Sequence, residues 1–199
     1  MLDKDLIKHN REFKRYLANN QFEQTEDGGI LFPKAGAIAR GMYVHGVNGQ
    51  DWQYSPNILP TEGLNSLLDV ALHGATQITA WYLGLFSGAV TPGASLTAAT
   101  VTSVLTEITS GTEGYSESTR VAWDEAAASA GAITNTASKA AFTIVTATSL
   151  TVNGCFLASA SAKGATTGKL MSATRFASAR SLSDADIFNL GYSLSLTSS

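Results

Sequence analysis

The sequence predicts a mainly β protein. It reads as a jelly-roll-like antiparallel β-sandwich over residues 41–199 with one short interior helix, preceded by a helix and an extended arm over residues 1–40. Three observations lead there. Beyond residue 41, short alternating or wholly apolar stretches recur between Gly, Pro, Asn and Asp punctuation, giving about eight strands with turns at regular spacing. Only one stretch in that region, "TEGLNSLLDVALHG", reads plainly as a helix. Charge is crowded at the front, where residues 1–40 hold seven of the thirteen Lys/Arg and six of the sixteen Asp/Glu.

In the first sixteen residues, "MLDKDLIKHNREFKRY", and just beyond, Leu2, Leu6, Phe13, Tyr16 and Leu17 recur near helical spacing. Asp3 and Asp5 come early and Lys14 and Arg15 late, as the helix dipole favours, so residues 3–19 are expected to form an amphipathic helix. Residues 20–40 sustain no period and carry Gly28, Gly29, Pro33 and Gly36, the composition of an extended arm. Phe22, Ile30, Leu31 and Phe32 would be exposed on an arm standing alone, which predicts that they dock on a partner.

From residue 41 the period changes to two. "GMYVHGVNGQDWQYS" places two runs around Asn48-Gly49, the pair suited to a type I′ hairpin turn because both central residues need positive φ. In the helix that follows Pro60, Thr61 is the expected N-cap and Glu62 suits the first turn. Leu64, Leu67, Leu68, Ala71 and Leu72 make its apolar face, and Gly74 stops it. "QITAWYLGLFS" (77–87) is nearly all apolar and reads as a strand buried on both faces. Residues 92–109 leave two readings open: Leu96, Val101, Val104, Leu105 and Ile108 fit one helical face, whereas the threonines argue for strand.

The densest polar stretch is "GTEGYSESTRVAWDE" (111–125). Read as a strand, its second half turns Val121 and Trp123 inward and leaves Arg120 on the other side, to pair with Glu107 or Asp124; Tyr115 sits over the preceding loop. Strands follow at "AAFTIVTA", "SLTVNGCFLASA" and "KLMSATRFAS". In the last, "DIFNLGYSLSL", Phe188, Leu190, Tyr192, Leu194 and Leu196 share one face.

Bulk properties narrow the function. The chain is 44% hydrophobic but only 15% charged, where about 25% is usual. Ala, Ser, Thr and Gly fill the deficit, a weakly solvated surface that suits an assembly subunit. A net charge of −3 predicts no general attraction to nucleic acid or to an anionic membrane. One cysteine, Cys155, excludes an internal disulfide framework and reads as a small buried side chain. The N-terminal residues are too charged for a signal peptide, and the longest apolar run, "ITAWYLGLFSGAV", is too short to span a bilayer, so synthesis in the cytoplasm without export is expected.

Motifs for chemistry are missing from the sequence: no GxxxxGK[ST], GxGxxG, HExxH, paired CxxC or GxSxG. His9, His45 and His73 fall in different elements, so no zinc site is expected. Asp184 and Asp186 could hold calcium but read as a turn before a strand. Glu107, Glu113, Glu117, Asp124 and Glu125 could supply a carboxylate pair for glycoside cleavage, although nothing fixes their separation. Enzymatic function, metals and cofactors are therefore not expected. A sugar-binding role would instead require Trp52, Tyr54 and Trp81 exposed on one face.

Taken in order, "NILPTEGLNSLLDVAL", "WYLGLF", "LTEITSGTEGYSESTRVAW", "ITNTASKAAFTI", "VNGCFLAS" and "GKLMSATRFASARSLSDADIFNLGYSLSL" resemble a group of tailed-bacteriophage virion proteins, over roughly residues 57–197. The resemblance implies a head-decoration or cement protein. Such a protein is a jelly-roll-like sandwich that self-associates as a homodimer or homotrimer and clamps neighbouring major capsid protein subunits on the outer capsid surface. It carries over no catalytic residues. Glu107, Tyr115, Arg120 and Trp123 would be its structural signature. Phe13, Tyr16, Leu17, Phe22, Ile30, Leu31 and Phe32 of the arm would contact capsid or partner. The alternatives are a tail, neck or fibre-adaptor component and a carbohydrate- or receptor-binding module.

Overall fold

The computed structural model of the chain describes residues 23–24, 30–31 and 37–198. The expected helix over 3–19, and with it Phe13, Tyr16, Leu17, Phe22 and Phe32, lies outside the described residues. Ile30 and Leu31 form strand β2 (Ile30–Leu31), which pairs antiparallel with β1 (Glu23–Gln24).

Residues Ala39–Leu196 form one compact unit. This unit holds two antiparallel sheets and two helices. Its elements are β3 (Ala37–Val47), β4 (Gln50–Pro56), α1 (Thr61–Leu72), β5 (Tyr82–Phe86), α2 (Ala98–Leu105), β6 (Gly114–Tyr115), β7 (Val121–Ala122), β8 (Ala132–Thr134), β9 (Ala140–Val145), β10 (Leu150–Ala158), β11 (Leu170–Leu182) and β12 (Ile187–Ser198). One sheet runs β11-β10-β5-β7; the other runs β4-β3-β12-β9-β6, with β8 also paired to β12.

The two sheets meet across a core built by alternation. Leu83, Leu85, Cys155, Leu157 and Phe176 from the first face Tyr43, Phe142, Ile144, Phe188, Leu190 and Tyr192 from the second. A second core lies where α2 packs Val101 and Leu105 against Phe86, Phe156, Leu170 and Ala173. Strand β5 is thus buried on both faces, as its apolar run predicts, over Tyr82–Phe86 rather than from residue 77. Its Phe86 pairs across the ladder with Gly154, and Gly84 with Phe156. Each phenyl ring occupies the space a side chain on the opposing glycine would need.

The Asn48-Gly49 turn is as expected, with φ of 52° and 72°. Its Asn48 carboxamide bonds Ile187 N–H and Asp186 and so ties the hairpin to the start of β12. In β12, Phe188, Leu190, Tyr192 and Leu194 are buried on one face; Leu196, beyond them, is exposed.

Three expectations are corrected. Among the described residues there are two helices, because residues 98–105 are helical. The threonines that argue for strand are local bonders instead: Thr100 Oγ1 accepts from Thr97 N–H, and Thr106 closes the helix at φ 58°. Thr61 is the first helical residue and Pro60 the N-cap. Finally, of the leucine face of α1 only Leu67 packs on the core, where it is half-buried. The buried residues of the helix are Gly63 and Ser66, while Leu64, Leu68 and Leu72 are exposed. The cause is close approach: a Cβ at Gly63 would lie 2.5 Å from the Met171 carbonyl oxygen, so the glycine lets the helix backbone settle directly on β11.

Candidate functional site

The polar stretch 111–125 and its partners form a network around one buried ion pair. Arg120 precedes β7 and is 1% exposed. Its Nε donates to Glu107 Oε1 at 2.7 Å and its Nη2 to Oε2 at 2.8 Å, a bidentate fork. Nη1 donates to the Ala160 carbonyl at 3.0 Å and Nη2 also to the Ala165 carbonyl at 3.2 Å. Glu107 also accepts from Thr102 Oγ1 of α2 and from Gly164 N–H. Phe156 lies under the guanidinium, 4.9 Å from ring centroid to Cζ. The pair therefore pins α2 and the 159–168 loop to β5, β7 and β10. Of the two partners the sequence offers, Glu107 holds Arg120 and Asp124 is exposed.

Glu113 and Glu117 are occupied in the same way, whereas Asp124 and Glu125 are exposed. Glu113 accepts from Thr146 Oγ1 and Ala147 N–H, and Glu117 from Thr143 N–H with both oxygens. Lys163 donates to the Tyr115 carbonyl and sits 3.5 Å from that ring's centroid; burial lowers its pKa. Burial likewise raises the Tyr115 phenol, which packs edge-on to Phe142 at 5.0 Å. Trp123 is buried, as expected, and its indole N–H donates to the Tyr192 carbonyl at 3.3 Å, whereas Val121 is only half-buried. Glu113 and Glu117 thus hold the backbone of the 143–147 segment through their oxygens. Of the four signature residues, Glu107 and Arg120 are joined to each other, while Tyr115 and Trp123 lie in the core between the sheets, against Phe142 and Tyr192.

The remaining candidates divide. His45 is fully buried, stacked 3.8 Å from Phe176; burial and the nearby Arg180 lower its pKa to about 4, so it is neutral near pH 7. His73 ends α1 and is exposed. Asp184 and Asp186 accept from Thr146 and Ser183 N–H in the turn before β12. Among the described residues, no group of three or more His, Cys, Asp and Glu is placed to hold a metal ion, and no helix is long and apolar enough to cross a membrane. Trp52 and Tyr54 share one face of β4, but Trp81 precedes β5 in the other sheet, so the three do not form one platform. Lys139 Nζ also sits over the Trp52 ring, at 4.7 Å.

Sequence reasoning missed two features. Glu62 is a joint: its Oε2 accepts from Ala98 N–H, at the start of α2, and from Leu170 N–H, at the start of β11, both at 2.8 Å. These contacts span 36 and 108 residues, and no local pattern encodes them. The second is a cavity of about 310 Å³ between α1 and the two sheets, lined by Leu67, Val70, Ala71, Ile78, Trp81 and Trp123 among others. The outward stripe of Leu64, Leu68 and Leu72 runs beside it.

The chain matches no family model and no curated protein.

Proposed function

We propose that this protein is a non-enzymatic structural component of a tailed-phage virion. In that role it is a decoration or cement protein that binds across neighbouring major capsid protein subunits on the outer surface of the head. The scaffold is read as a jelly-roll-like sandwich, with the chain passing repeatedly from one sheet to the other between β4 and β12. The observation that carries the reading is a division of labour. Glu62, Glu107, Glu113, Glu117 and Arg120 hold loops and helices in place, while large apolar side chains of α1 face outward, with Leu72 83% exposed. That is the pattern of a subunit whose surface is completed by others. The low charge content and the resemblance over residues 57–197 support the same assignment.

Clamping stabilises a shell by mass action, because a ligand that binds only the assembled lattice shifts the equilibrium towards assembly. Co-sedimentation tests this, using purified protein with assembled heads that lack it and, separately, with unassembled capsid protein. Binding to heads alone is expected. Binding to tails or glycans instead would replace this reading with the adaptor or receptor-binding one.

A further inference from the structure

We propose that the outward leucine stripe of α1, together with the cavity beside it, is the dock for residues 2–17 of a neighbouring copy of this chain. The inference rests on the reading of the protein as an assembling subunit and supplies the contact between its copies.

The dock is an apolar surface left over by the fold. Because Gly63 and Ser66 seat α1 on β11, Leu64, Leu68 and Leu72 remain 39, 57 and 83% exposed. Positions four apart along a helix advance by about 40°, so the three leucines form one slanting ridge. Ala71, exposed and on the cavity wall, joins that ridge to Leu67, Val70, Ile78 and Trp81 inside the cavity. Ridge and cavity are thus one continuous apolar surface.

Charge selects the occupant. Helix α1 carries Glu62 and Asp69 and no Lys or Arg; Glu125 lines the cavity and Asp124 is exposed next to it in the chain. Pairing α1 with another α1 would bring like charges together. Residues 2–17 have the complementary character: Lys4, Lys8, Arg11, Lys14 and Arg15 against Asp3, Asp5 and Glu12, with Leu2, Leu6, Phe13, Tyr16 and Leu17 at near-helical spacing. An amphipathic helix laid in an apolar groove is an established recognition mode.

Position agrees. Asn57, whose N–H donates to Gly41 O of β3, lies four residues before α1, so β3 passes the start of α1. Nineteen residues separate Leu17 from Ala37, the first residue of β3, and the β1–β2 pairing sets Glu23 opposite Leu31 within them. The stretches on either side of that pairing, 17–23 and 31–37, together span at most roughly 40 Å, beyond the ~30 Å width of a small domain. One arm and one dock per copy make a head-to-tail contact, which closes into a ring when the rotation allows.

Two full-length variants, Phe13→Cys and Leu68→Cys, test the proposal when mixed and oxidised. Cys155 is fully buried and does not compete. The expected product is a mixed disulfide dimer joining the two variants, which only an arm reaching another copy can give. A full-length Leu68→Glu/Leu72→Glu variant is expected to keep its circular dichroism and to sediment as a monomer where the parent is oligomeric. Three results would overturn the proposal: no mixed dimer, a dominant Leu68→Cys homodimer, or an oligomer that survives the double substitution. No heads are present in this experiment. A failure here therefore leaves the head-binding result standing, and a failure to bind heads does not touch the arm contact.

Discussion

Replacing Arg120 with Met removes the guanidinium and keeps most of the apolar stem. The Glu107 carboxylate, 0% exposed, then keeps only Thr102 Oγ1 and Gly164 N–H as donors; the Ala160 carbonyl loses its Arg120 donor and the Ala165 carbonyl keeps only Thr102 Oγ1, at 3.5 Å. Breaking a buried pair from one side costs about 3–5 kcal/mol, because the remaining charge stays desolvated. For a protein of this size that corresponds to a fall in Tm of about 6–20 °C. The double variant Arg120→Met/Glu107→Leu removes the stranded charge as well. It should cost less than the sum of the two single changes, with a coupling of about 1–3 kcal/mol. It should not return to the parent's stability, since two carbonyls, Gly164 N–H and the Thr102 hydroxyl still lose a partner, at about 1 kcal/mol or more each where buried. Equilibrium denaturation in urea, with m-values checked for constancy, measures all three variants. A loss under about 1 kcal/mol for Arg120→Met, or strict additivity in the double variant, would refute the assignment of this pair as the pin of the second core.

Three further outcomes follow from particular contacts. Glu62→Ala strands two backbone N–H groups and should cost about 2–4 kcal/mol by the same denaturation assay, although Glu62 is distant in sequence from both partners. Ala130 and Ala185 hold positive φ, 50° and 65°, so Ala130→Asn, which creates an Asn-Gly turn with Gly131, should raise stability by up to about 1 kcal/mol; Gly131→Ala should lower it. The His45 pKa is lowered to about 4 in the folded protein from an ordinary 6.5, so the unfolded chain takes up the proton first. Stability should accordingly decline as pH falls from about 6.5 towards 4, by at most about 3 kcal/mol from this group. His45→Leu should flatten that part of the profile, and an unchanged profile would show that His45 is not the titrating group.

What the sequence disclosed depended on the range of the interaction. The Asn48-Gly49 turn, the inward face of β12 and the choice of Glu107 or Asp124 for Arg120 were legible, because each rests on local geometry or on a short list of charges. The packing of α1 was not. Leu64, Leu67, Leu68, Ala71 and Leu72 make the stronger periodic signal, yet Gly63 allows a closer approach to β11 than any leucine would. In 98–105 the threonines concealed a helix by acting at its ends and bonding back along it. The roles of Glu62, Glu113 and Glu117 depend on partners 26 to 108 residues away, which only the assembled fold brings near. A misplaced apolar face is itself informative, since a stripe that the fold leaves unused marks where a partner belongs.

The measurement that tests the central claim most directly is the temperature at which genome-filled heads lacking this protein release their DNA, followed as purified protein is added. A cement protein raises that temperature with occupancy and reaches a plateau when its sites are filled. Heads that bind the protein and open at an unchanged temperature, or heads that do not bind it at all, would contradict the account.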